Sequence, residues 1–177
     1  GLAMLIDFGF QTIITRNISY LWSGAQSIKS TGFEVLGDKN VEVNIPYFIK
    51  VISAVRFIYT SMGTIIFTLF ITVGTWYMIS INNGEISMKT MLISWFFYML
   101  SIVLNISFSY WNSVLKGIGA IKTYNQILII TKSTQLVLSI ILLIFGLGLI
   151  GVSIAYFASV IVNRILQSIA YYNYSNE

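Results

Sequence analysis

The sequence predicts an all-α fold: a polytopic membrane helical bundle with about four full transmembrane helices and one partial helix. Three observations carry that expectation. Hydrophobic residues make up 56% of the chain and charged residues only 9%, whereas a soluble domain uses roughly 25% charged residues to coat its surface. Charge is absent from Phe57 to Ile81 and again from Thr90 to Leu115, and each stretch is long enough to cross a hydrocarbon core of about 30 Å as a helix. The single proline, Pro46, lies outside both.

Taken in order, residues 1–21 read as the end of a transmembrane helix carrying Asp7 and Arg16. Residues 22–45 mix Ser, Gly, Lys, Glu and Asp and read as a cytoplasmic loop. Full spans are expected over 46–81, 90–115, 125–146 and 149–172, the third interrupted by Lys132 and the fourth by Arg164. Each must be helical, because lipid offers no partner for backbone N–H and C=O groups. Asn44-Ile-Pro46 is a helix start, with proline in the first turn. A helix from Pro46 to Ile81 is about 54 Å long at ~1.5 Å per residue, so its first turns should project from the bilayer core or lie along its surface. The chain opens at Gly1 inside an apolar stretch without a charged leader, which reads as part of a larger protein.

Lys29, Lys39, Lys50 and Arg56 precede the first full span, and Lys116 and Lys122 lie between the second and third. The positive-inside rule puts these segments on the cytoplasmic side. Trp76, Tyr77 and Trp95 then fall at the outer ends, with Tyr110, Trp111, Tyr171 and Tyr172 at the inner ends, as interfacial aromatic belts.

Cysteine and histidine are both absent, which excludes thiol chemistry, Cys/His zinc sites and a histidine proton switch. No metal or cofactor is expected. The net charge of +4 is scattered, unlike a nucleic-acid surface. The loops offer Glu34, Asp38, Glu42 and Glu85 without a recognisable catalytic arrangement, so the chain reads as a non-enzyme. Gly146-Leu-Gly-Leu-Ile-Gly151 spells G-x-G-x-x-G, but its flanks are membrane-length apolar segments and no acidic residue follows before Glu177. A dinucleotide site needs a strand before the motif and an acidic residue after it, so this is a tight turn between antiparallel spans.

Polar residues recur within the spans at helical spacing. In the second they are Ser94, Tyr98, Ser101, Asn105, Ser109 and Asn112, on one face. Helix packing and the wall of a water-filled cavity both explain such a row. In the third, Asn125, Lys132, Gln135 and Ser139 align. Thr60, Thr64, Thr68 and Thr72 stripe the first, where hydrogen bonding between helices is the preferred reading. Ionisable groups inside a span cost about 2.5–3.5 kcal/mol on insertion scales, which singles out Asp7, Arg16, Lys132 and Arg164. Arg164 lies toward an inner end, where snorkelling to the interface explains it, and Arg56 is a further interfacial or cavity candidate. Lys132 lies deeper, on the polar face with Gln135. Cations outnumber carboxylates in the spans, so a shared cavity would attract anions.

Residues 7–20, Asp-Phe-Gly-Phe-Gln-Thr-Ile-Ile-Thr-Arg-Asn-Ile-Ser-Tyr, resemble the second-helix region of bacterial O-antigen and polysaccharide flippases. These belong to the multidrug/oligosaccharidyl-lipid/polysaccharide exporter superfamily. Trp111 through Gly117-Ile-Gly119, and Gly146–Gly151 leading to Asn163-Arg164, are further likenesses in family order. The resemblance implies a bundle from the first half of a two-bundle transporter in the bacterial cytoplasmic membrane, with the remaining half as partner. Its cargo would be an undecaprenyl-pyrophosphate-linked glycan, a unit of O-antigen lipopolysaccharide or capsule, moved by alternating access. By the same resemblance Arg16, then Lys132, would receive the substrate in a cationic lumen, with Asn105 and Gln135 beside them. Asp7 would be structural or ion-coupling. The competing expectations are a multidrug or cation antiporter of the same superfamily, which would want more carboxylates in its spans, and a non-transporting membrane scaffold.

Overall fold

The computed structural model describes residues 10–25, 27–29, 32–34 and 44–175. Helix α1 (Phe10–Trp22) is followed by two short strands, β1 (Ser27–Lys29) and β2 (Gly32–Glu34). Helix α2 (Ile45–Leu69) runs through a π turn (Phe70–Gly74) into α3 (Thr75–Ser80). Then come α4 (Met88–Ser107), α5 (Tyr110–Gly117), α6 (Ile121–Ile144) and α7 (Gly148–Ser175). Four helical runs are long and apolar enough to cross a membrane: Ile45–Ser80, Met88–Gly117, Ile121–Ile144 and Gly148–Tyr174. The chain is therefore a multi-pass membrane protein of the all-α class.

Local chemistry sets most of the boundaries. The Asn44 side chain accepts the Tyr47 N–H at 3.2 Å, with Pro46 in the first turn, so the helix start falls where the sequence placed it. Helix α6 ends in a Schellman motif: Leu147 N–H bonds Leu142 C=O at 3.1 Å and Gly146 N–H bonds Leu143 C=O at 2.9 Å. Gly146 sits at φ 78°, a conformation that side chains with a Cβ resist. The G-x-G-x-x-G segment is thus a helix–helix turn. Gly119 closes α5 in the same way, at φ 90°.

The structure departs from the sequence reading in four places. The loop read over 22–45 contains an antiparallel ladder, with Ile28 opposite Phe33. The second span is broken: hydrogen bonds tighten to the i→i−3 pattern around Phe108, with Ser109 N–H on Ile106 C=O and Trp111 N–H on Phe108 C=O. The third begins at Ile121 rather than at residue 125. The first carries the π turn, where the Thr75 hydroxyl donates to Phe70 C=O at 3.1 Å.

Four of the helices pack in the order α2–α4–α7–α6, while α1 lies against α5. The main core gathers at the end bearing Lys50, Lys116 and Lys122, where Ile14, Ile18 and Leu21 meet Phe48, Tyr59, Val114, Leu115 and Ile127. A smaller one joins Ile66 to Ile102 and Ile106. Outward faces are apolar, with Ile144 80% exposed and Trp76 70% exposed, as a surface in contact with hydrocarbon requires. Tyr110 and Trp111, expected in an interfacial belt, are instead buried in the main core, because the break after α4 turns them inward.

Candidate functional site

The polar residues of α4, α6 and α7 converge on one seam. In one half of the bundle, α4 and α6 are separated across α7 by a vestibule of about 630 Å³. Trp95, Tyr98 and Tyr156 supply its aromatic lining, and Ser94, Ser153, Lys132 and Gln135 its polar groups. Toward the basic end, an inner chamber of about 100 Å³ follows, lined by Asn105, Asn112, Thr131, Ser159, Asn163 and Gln167 among others. Lys132 and Tyr156 line both spaces and mark the passage between them. A recess of about 20 Å³ beside Arg164 has room for about one water.

Hydrogen bonds tie the seam across helices. Gln167 Nε2 donates to Asn112 Oδ1 at 2.6 Å, and Asn105 Nδ2 donates to Tyr156 Oη at 3.5 Å. Asn112 also donates to Ser109 Oγ at 3.3 Å. On α6 the Lys132 ammonium donates to Gln135 Oε1 at 3.2 Å. The Thr131 hydroxyl and Asn163 Oδ1 are buried without a protein partner. A row of carboxamides and hydroxyls facing an ammonium, in walls otherwise made of helix, can hold a polar or anionic group inside a membrane.

The Arg164 guanidinium packs among aromatic rings. It turns inward, its Cζ 4.4 Å from the Phe108 ring centroid and 4.8 Å from that of Trp111, and it donates to Tyr110 Oη at 3.4 Å. The break between α4 and α5 gathers these three rings around it, and cation–π attraction replaces part of its hydration. One of its nitrogens, Nη1, is buried without a partner.

Lys132, Gln135 and Asn105 are thus brought to one site, with Arg164 beside it. Arg16 lies elsewhere. It is exposed on α1 and lines a separate groove of about 480 Å³ with Lys116. Arg56 is exposed on α2. Asp7 lies outside the described residues. The polar row of the second span divides: Ser94, Tyr98 and Asn105 on α4 and Asn112 on α5 face the cavities, whereas Ser101 is fully buried and bonds the Phe97 carbonyl of its own helix. The threonine stripe of the first span is exposed, and Thr60, Thr64 and Thr68 on α2 and Thr72 in the π turn each donate to the carbonyl four residues back. Those hydroxyls do not bridge the helices described here, against the sequence expectation. Sequence reasoning missed Tyr156, Ser159, Asn163 and Gln167. They stand three or four residues apart on α7, the same signal that was read on α4.

No protein-family model matches this chain, and no curated protein or solved structure is significantly similar to it.

Proposed function

We propose that this chain is one bundle of a transporter that moves an anionic lipid-linked oligosaccharide across a bacterial cytoplasmic membrane by alternating access, without covalent chemistry. The observation supporting this most directly is the charge of the seam. Lys132 stands where vestibule and chamber meet, Arg164 lies beside the chamber, and the carboxylates among the described residues, Glu34 and Glu85, fall outside the four span-length helices. Fixed positive charge between low-dielectric walls concentrates anions. A cation or multidrug antiporter would want carboxylates where this seam has amides. The vestibule has the mixed lining of a small-molecule site, mostly apolar with a few convergent polar groups. The resemblance of residues 7–20 to polysaccharide flippases supplies the class of cargo.

The test is surface glycan export in cells carrying Lys132→Ala or Arg16→Ala, with membrane levels of the protein measured alongside. A hydrogen bond to a charged group is worth about 1.5–3 kcal/mol, so losing Lys132 should reduce export by roughly ten- to a hundredfold. Lys132→Arg should retain part of it. Arg16→Ala should also impair export if its groove belongs to the same route. Normal export in both alanine variants, at normal protein level, would sink the reading.

A further inference from the structure

We infer that the inner chamber is a binding site for a neutral, hydroxyl-rich group, the edge of a sugar ring or a small polyol, rather than for the anionic part of a ligand. Four carboxamides line it, Asn105, Asn112, Asn163 and Gln167, together with the hydroxyls of Thr131 and Ser159 and the phenols of Tyr124 and Tyr156. Among the described residues, Lys132 is its one cation. Carboxamides present donors and acceptors side by side, and hydroxyls answer both, because each can donate once and accept twice.

The two unpartnered groups point the same way. Thr131 is only 4% exposed, yet its hydroxyl has no protein partner. Asn163 Oδ1 is buried and equally unpartnered. Sulfate, carboxylates and the oxygens of a pyrophosphate diester have no proton for that oxygen and would meet its partial negative charge. A ligand hydroxyl can donate to Asn163 Oδ1 or accept from the amide NH₂, and accept from Thr131 as well. Leaving such groups unsatisfied in a buried site is costly, so the walls favour an occupant that bonds to both. The Lys132 ammonium gives one of its three N–H groups to Gln135 and keeps donors for hydroxyl oxygens. At about 100 Å³ the chamber takes a ring edge rather than a whole disaccharide. The remainder of the ring would extend into the vestibule, where Tyr98 and Tyr156 lie with ring centroids 5.8 Å apart. Aromatic faces there offer an apolar surface to the C–H face of a sugar.

The inference deepens the transport reading, and rests on it for why a polyol should reach the membrane interior. Its test is equilibrium binding by the purified protein in micelles of a sugar-free zwitterionic detergent, followed by saturation-transfer NMR. Methyl α-glucoside should receive saturation, and N-acetylglucosamine should displace it where sulfate at equal concentration does not. Thr131→Val and Asn163→Leu should each weaken binding about five- to tenfold, the loss expected for about one hydrogen bond. Thr131→Val should leave the unfolding temperature unchanged or raised, which separates loss of a ligand contact from loss of fold. Absence of saturation transfer, binding unchanged in both variants, or displacement by sulfate would each overturn the assignment. Glucoside binding together with normal export by both Lys132→Ala and Arg16→Ala would instead remove the transport reading and leave the chamber standing. Export that depends on Lys132 with no sugar binding would do the reverse.

Discussion

Two interfaces of the bundle are filled in different ways. Between α1 and α5, Ile14, Ile18 and Leu21 meet Val114 and Leu115, all nearly or fully excluded from the surface. Gly117 allows the close approach: a Cβ there would overlap Ile18 Cγ2 and lie 3.1 Å from the Thr15 carbonyl oxygen. Between α7 and the run of α4 and α5, ring contacts such as Phe97 on Phe157 are joined by hydrogen bonds of Asn105 to Tyr156 and Gln167 to Asn112, and a chamber remains. Apolar burial gives little drive for helix association in lipid, where acyl chains are as apolar as leucine. Close packing around small residues and hydrogen bonds between helices must hold a bundle together. The first interface uses packing and has little space to rearrange. The second adds a few directional bonds to its ring packing and keeps a space, which is what a site that binds and releases requires.

The comparison breaks most directly at Gly117. Gly117→Leu forces side-chain atoms into Ile18 and the α1 backbone, and should cost about 2–3 kcal/mol by overpacking. The measurement is the loss of ordered protein on denaturant titration in detergent. An unchanged midpoint would mean that α1 can lift from α5, and that the tight contact is not rigid.

Gln167→Leu tests the other side. Gln167 is 4% exposed and holds Asn112 at 2.6 Å. Leucine has nearly the same volume and leaves the Asn112 carboxamide without that partner inside the seam, at a cost of about 1–3 kcal/mol. Denaturation of this variant in parallel with Gln167→Leu/Asn112→Leu sharpens the point. The double variant removes both polar partners and should recover much of the loss, because neither is then left unsatisfied. Equal stability of the single and double variants would mean that water already satisfies the seam.

Trp95 is an intermediate case, a ring packed on the π turn with one polar bond. Its Nε1 donates to the Thr75 hydroxyl at 3.1 Å, its ring lies 5.6 Å from that of Phe70, and a Cβ at Gly74 would come within 2.7 Å of it. Trp95→Phe keeps a ring and removes the donor. The expected cost is about 0.5–1.5 kcal/mol, read from the same titration.

How much of this was legible follows from what each feature depends on. The spans could be read because charge is absent over bilayer-length stretches, and lipid then dictates helix. The pairing of Lys132 with Gln135 could be read because it is local, three residues along one helix. The break after Ser107 could not: Phe108 and Ser109 carry no proline or glycine, and the rings that the break brings together meet Arg164, a residue 54 positions beyond Tyr110. The same tertiary contact packs Arg164, read as snorkelling, among those rings. The separation of Arg16 from Lys132 was equally hidden, because α1 docks on α5 rather than on the seam. The α7 row of Tyr156, Ser159, Asn163 and Gln167 was visible at helical spacing, but the charge of Arg164 drew the reading to another face.

The smallest effect belongs to the threonine stripe, which sharpens the comparison because it is polar without forming an interface here. Thr64 and Thr68 are exposed, and their hydroxyls are satisfied at 3.0 Å by carbonyls of their own helix. A Thr→Val change removes a bond internal to α2 and leaves the carbonyl with its backbone partner. It also gives lipid a methyl in place of a hydroxyl. Thr64→Val and Thr68→Val should therefore each shift stability by less than about 0.5 kcal/mol, as surface substitutions do. Polar rows at the same helical spacing then differ in consequence because of geometry: on α4 and α7 the side chains reach across to one another, whereas on α2 they fold back. A loss above about 1 kcal/mol in either variant, on the scale of a hydrogen bond between helices, would show that another surface covers the stripe and that α2 has an interface of its own.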